Sequence, residues 1–141
     1  MDQGSTAPPK HQTRVRVRYA ETDQMGVAYH ANYLIWMEIG RVELVRSRGL
    51  PYRDLEQHSG LYLSVVGVTC SYLSPAKYDQ ELVIETEVLS SNPRFVEFGY
   101  QIYSAAPDKL LAQGSSRHVW LNRQWRPTRL PDQYQHLLRV G

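Results

Sequence analysis

A chain of 141 residues is the size of one domain and leaves no room for two separate cores. Hydrophobic residues at 42% and charged residues at 21% exclude a disordered or collagen-like chain. Sixteen Lys and Arg against fourteen Asp and Glu give a formal charge of +2, too weak a positive field for duplex recognition, so no nucleic-acid partner is expected.

Residues 1–12 hold paired prolines and small polar side chains with little to bury, which predicts a flexible tail. They also lack the apolar segment of a signal peptide or anchor, and charges interrupt every later apolar stretch before it reaches membrane-spanning length. A cytoplasmic protein with no membrane partner is expected. The single cysteine, Cys70, cannot close an intrachain disulfide and reads as a small buried hydrophobe.

Arg14, Arg16 and Arg18 alternate with Val15 and Val17, the pattern of a half-buried strand. Over residues 31–48 the period lengthens: Leu34, Arg41 and Val45 share one side, with Ile35, Ile39 and Val42 beside it. This predicts a helix, apolar nearly all round in its first half, as for a helix largely surrounded by protein. Gly49 and Pro51 supply its stop. Four further alternating segments follow at 61–73, 80–89, 94–103 and 110–121, separated by Pro-, Asn- and Asp-containing turns. The order strand, long helix, four strands predicts an α+β domain over 13–130, with a five-stranded antiparallel sheet able to curl around the helix. Residues 131–141 are expected to be a C-terminal tail or a short helix.

Between the first strand and the helix runs Glu21-Thr22-Asp23-Gln24-Met25-Gly26-Val27-Ala28-Tyr29-His30-Ala31-Asn32-Tyr33. A helix start exposes unpaired N–H groups and the positive end of the macrodipole, which can polarise a carbonyl or hold a developing oxyanion. Gly26 permits the sharp turn that would bring Asp23 toward those amides. Taken alone, an aspartate after a strand is more often a turn former or a helix cap.

The run of aspartate, two residues, Gly-Val and Tyr-His-Ala-Asn-Tyr resembles the signature of the 4-hydroxybenzoyl-CoA thioesterase-like family of hotdog-fold acyl-CoA thioesterases. The resemblance extends over roughly residues 14–130, through Glu38 and Arg41, Tyr72-Leu73, Pro75-Ala76, Tyr78-Asp79 and the run ending in Arg117-His118-Val119. It implies the hotdog fold and hydrolysis of an aromatic or short- to medium-chain acyl-CoA to the carboxylic acid and CoA. It implies a catalytic role for Asp23, as nucleophile or general base, and for the backbone N–H of His30 in polarising the thioester carbonyl. It further implies a homo-oligomer, a dimer or a dimer of dimers that would be a homotetramer, and no cofactor. A thioester is already electrophilic and its thiolate leaves readily, so one carboxylate and oriented amides suffice.

The other candidates carry competing structural explanations. The His30 imidazole can bind substrate or Asp23, or be merely structural. Tyr29 and Tyr33 can line the acyl pocket or pack in the core, and Asn32 can cap the helix or orient the loop. Glu38, three residues before Arg41, reads as an ion-pair partner rather than a second catalytic acid. Lys77, Arg94 and Arg117 are candidates for the CoA phosphates, though each also suits a solvated strand or turn. Tyr62, Tyr72 and Phe98 are candidates for setting pocket depth. His11, His30, His58, His118 and His136 show no metal-ligand spacing, and His118 reads as structural or interfacial. The alternative is a noncatalytic acyl-CoA or acyl-carrier-protein binding module, against which Asp23 argues.

Overall fold

The computed structural model describes residues 10–141. Strand β1 (His11–Arg16) leads through a short 3-10 turn (Tyr19–Glu21) and the loop to helix α1 (Asn32–Ser47). A helical turn, α2 (Tyr52–Asp54), and one π-helical turn (Leu55–Ser59) precede β2 (Tyr62–Tyr72), β3 (Glu81–Asn92), β4 (Phe95–Ala105) and β5 (Asp108–Leu121). The chain closes with α3 (Asp132–Gln135) and a 3-10 turn (His136–Leu138). The strands form one antiparallel sheet in the order β1-β3-β4-β5-β2.

The period-2 pattern places Leu82, Ile84 and Val88 of β3, Phe98 and Ile102 of β4, and Trp120 of β5 on the face turned toward α1, where all are buried. From the helix, Trp36, Met37, Leu44 and Val45 meet them. Gly40 lets α1 approach closely, since a Cβ there would collide with the side chains of Thr86 and Ile84. Two expectations change. The strand predicted from Arg14 already begins at His11, so only residues 1–9 of the expected tail lie outside the described residues. The first half of α1 is not enclosed by its own chain: Leu34 is 41% and Ile35 46% exposed, because the sheet covers only one side of the helix.

The C-terminal segment is anchored rather than loose. Leu130 and Leu138 are buried, Gly141 exchanges backbone bonds with Val88, and the Arg48 guanidinium donates to the carbonyls of Leu137, Arg139 and Gly141. Cys70 is half-buried, less enclosed than the apolar run implied, and that burial raises its pKa.

His118 is structural. Fully buried on β5, it contacts the hydroxyl of Ser116 through Nε2 at 2.7 Å, and Ser116 Oγ lies 2.5 Å from the Tyr100 hydroxyl. Nδ1 has no partner, and desolvation, with a smaller contribution from Arg41, lowers the pKa to about 3. The folded state therefore holds neutral imidazole while the unfolded chain protonates near pH 6.5. Stability from this group is complete above that value, begins to fall below it and is lost through about pH 3. We expect a stability slope approaching about 1.4 kcal/mol per pH unit within that window. Denaturant unfolding at a series of pH values should show the slope in the wild type and its loss in His118→Gln; equal slopes would refute it.

Candidate active site

The loop before α1 is a tight hairpin built from its own backbone. Tyr29 N–H donates to the Glu21 carbonyl (2.8 Å), Asp23 N–H to Val27 (2.9 Å) and Gly26 N–H to Asp23 (3.0 Å), with Gly26 at φ 77° as the turn requires. The segment leading into β3 clamps it: Ala28 N–H donates to Ala76 and Tyr78 N–H to Gly26. Asp23 is half-buried, and its Oδ1 accepts the Met25 N–H at 2.8 Å, an Asx turn that aims the carboxylate without capping the helix.

At the helix entrance, the amides of Asn32, Tyr33 and Leu34 donate to Tyr29, His30 and Ala31 in a tightened first turn. The amides of His30 and Ala31 have no acceptor among the described residues, so the helix start presents two N–H groups beside the hairpin. The His30 imidazole is exposed and stacks near Tyr29, with ring centroids 4.3 Å apart. Tyr72 donates from its hydroxyl to the His30 carbonyl (3.2 Å) and packs edge-on against Tyr33. Tyr33 is core: it is buried, accepts the Ala76 N–H and has a pKa raised by desolvation.

Asn32 orients the loop rather than capping the helix. It is the first helical residue, and its amide donates to the Glu21 carbonyl at 2.8 Å. Glu21 itself is the residue that spacing does not distinguish, because a carboxylate two positions before the motif aspartate has no periodic signature. It is buried, and its carboxylate accepts the Arg18 N–H (2.8 Å) and the Trp36 indole N–H (3.2 Å). One residue thus ties the end of the first strand, the return arm of the hairpin and the second turn of α1 together.

A groove of about 280 Å³ opens beside this entrance, between Leu34, Ile35, Glu38 and Arg41 of α1 and Val65 and Val68 of β2, with Ser116 at its floor. Arg41 is largely buried and lies 4.0 Å from Glu38 and 3.4 Å from the Tyr100 hydroxyl, so the expected ion pair forms, loosely. Another groove, of about 360 Å³, lies on the outer sheet face and includes none of the hairpin residues.

The three basic candidates are not brought together within one chain. Lys77 flanks the hairpin, opposite Val27. Arg117 lies over Gly67 in the middle of β2, and Arg94 is at the far end of the sheet, where its carbonyl accepts the Trp120 N–H. Of the pocket-depth candidates, Phe98 is core and Tyr62 stacks on Trp125 at the far end. Only Tyr72 is at the helix entrance. Among the described residues no group of three or more His, Cys, Asp or Glu side chains is placed to hold a metal ion, and no helix is long and apolar enough to cross a membrane.

A sheet wrapped over one long helix, with an acidic hairpin at the helix entrance, is the architecture and motif of hotdog thioesterases. The profile of the thioesterase-like superfamily matches residues 17–138, and the chain belongs to that family. It is 40% identical over 110 residues to YneP of Bacillus subtilis, provisionally named an acyl-CoA thioesterase, covering 78% of each chain. Among solved structures, protein TT1821 of Thermus thermophilus superposes with a TM-score of 0.84 at 33% identity, covering 90% of this chain and 95% of that one. DHNA-CoA thioesterase from Staphylococcus aureus gives 0.83 at 29% identity, with 89% and 83% covered.

Proposed function

We propose that this protein is an acyl-CoA thioesterase that hydrolyses its substrate to a carboxylic acid and CoA, with Asp23 as nucleophile or general base. The observation that carries the reading is the hairpin joining Asp23 to a helix entrance whose His30 and Ala31 amides are unclaimed by other carbonyls. In this reading the His30 N–H polarises the thioester carbonyl and stabilises the oxyanion as Asp23, or a water it deprotonates, attacks. Thiolate then leaves. The acyl group enters the groove of Leu34, Ile35, Val65 and Val68, with Tyr29 at the helix entrance, Asn32 and Tyr72 holding the loop in register, and Lys77, paired across from Val27, the one of the three phosphate candidates that flanks the hairpin. The acyl-CoA thioesterase names carried by YneP and the Staphylococcus enzyme support this chemistry. A screen of acyl-CoA thioesters for thiol release tests it: turnover of at least one aromatic or short- to medium-chain substrate is expected. Binding without turnover across the screen would favour the noncatalytic module.

The same reading makes the protein a homo-oligomer. The two sheet edges differ: β1 is six residues long and carries Arg14 and Arg16, whereas β2 is eleven residues long with Val65, Val66 and Val68 exposed. Short charged edges resist pairing and long apolar ones invite it. An antiparallel pair of β2 strands from two copies would satisfy the free backbone groups and cover Leu34 and Ile35, giving a dimer, with a homotetramer as two such dimers. Cytoplasmic residence accords with the single free thiol. Light scattering at micromolar concentration is expected to give at least twice the mass of one chain; a purely monomeric species would overturn the assembly.

A further inference from the structure

The groove beside the helix entrance ends on a cation that cleavage of the thioester does not use. Leu34, Glu38 and Arg41, spaced i, i+4 and i+7, share one stripe of α1 and form one wall, and Val65 and Val68 of β2 form the other. Leu34 belongs to the first turn of the helix, and Arg41 lies seven residues deeper, about 10 Å along the axis. The Arg41 side chain is only 11% exposed, yet it is poorly matched where it lies. A guanidinium has five N–H donors. Among the described residues it meets the Glu38 carboxylate at 4.0 Å and the Tyr100 hydroxyl at 3.4 Å, both long. Glu38 is itself 60% exposed, so the ion pair holds weakly.

The groups packed below Arg41 cannot make up the difference. The Tyr100 hydroxyl is engaged with Ser116 Oγ, and Ser116 Oγ also contacts His118 Nε2 at 2.7 Å. Beneath apolar walls the groove thus keeps a nearly buried cation with no strong acceptor. A saturated acyl chain filling the groove would displace the remaining water from Arg41 and return no hydrogen bond, and stripping a charge of solvent without a partner is costly. A carboxylate at the far end of the chain would instead accept two parallel N–H bonds from the guanidinium fork. We infer that the groove selects acyl groups carrying a carboxylate at the end remote from the thioester, and that Arg41 binds this carboxylate. The inference rests on the thioesterase reading and names its substrate class: CoA monothioesters of dicarboxylic acids, hydrolysed to the free dicarboxylic acid and CoA. Arg41 is then a specificity-determining residue, steadied by Tyr100 and remote from the reacting atoms.

Matched substrates test it with no change to the protein. CoA monothioesters of the dicarboxylic acids from adipic to sebacic are each compared with the methyl-ended acyl-CoA of the same carbon number. At the length that spans the groove, the carboxylate-ended member should have a kcat/KM about ten-fold higher or more. Equal values at every length overturn the inference, and so does a hydroxyl-ended chain preferred over the carboxylate. Arg41→Gln should abolish the preference by weakening the carboxylate-ended substrate alone, and Arg41→Lys, which keeps the charge but not the fork, should retain part of it. A full preference surviving in Arg41→Gln would remove Arg41 from the recognition. Titration calorimetry of the Asp23→Asn chain with the same pairs reads binding without turnover. A carboxylate preference in binding, with no hydrolysis by the wild type, would sink the thioesterase reading and leave the selectivity of the groove standing. Hydrolysis of both members of every pair with equal efficiency would do the reverse.

Discussion

Asp23→Asn is expected to lower kcat by about 10²- to 10⁴-fold while leaving the protein folded, the range associated with removing a positioned general base or nucleophile. The substitution separates chemistry from structure because the amide oxygen of Asn can still accept the Met25 N–H that holds the turn, and tolerates the same backbone geometry. What disappears is the negative charge, and with it the capacity to attack a carbonyl or take a proton from water. Thiol release under saturating acyl-CoA measures the effect, and denaturant unfolding checks that stability moves by no more than about 0.5 kcal/mol. Near wild-type turnover would remove Asp23 from the mechanism. A single turnover in isotope-labelled water gives one positive result for the nucleophilic mechanism: label passing into the Asp23 carboxylate marks an anhydride opened at the aspartyl carbonyl, which general-base attack cannot produce.

Glu21→Ala should be the most damaging change at the site for stability. The truncation strips the acceptor from the Trp36 indole N–H, which folding has removed from water, and from the part-buried Arg18 amide. At about 1–3 kcal/mol for an unsatisfied buried group and less for one that water can reach, the loss is expected to be about 2 kcal/mol. Activity should fall as well, because Glu21 fastens the hairpin that carries Asp23 to the helix that presents the His30 amide. Glu21→Gln should be intermediate, since its single carbonyl oxygen can accept only part of what two carboxylate oxygens do. Equilibrium unfolding and kcat/KM should therefore rank wild type above Gln above Ala in both quantities. An alanine variant as stable as the wild type would show that the loop is held by its backbone bonds alone.

The elements themselves were legible in the one-dimensional pattern. Val15 and Val17 alternating with arginines, the 3.6-residue spacing of Leu34, Arg41 and Val45, and the alternation of Leu82, Ile84 and Val88 with glutamates each reflect a side chain's need to reach one face of a local structure. That need is imposed residue by residue. Asp23, Gly26 and the aromatic run after them were legible as well, since the turn and the helix start are neighbours in the chain.

Relations between distant residues were not. That Glu21 receives the Trp36 indole, that Tyr72 grips the His30 carbonyl forty-two residues away, and that His118 is buried against Ser116 and Tyr100 all depend on how strands and helix meet in space. Hydrophobic periodicity states which face is covered but not by what. The apolar first half of α1 is the clearest case, for its pattern demands enclosure while its own sheet covers only one side. Only the strand order, which leaves β2 at the edge of the sheet next to Leu34 and Ile35, shows why that side of the helix stays exposed among the described residues.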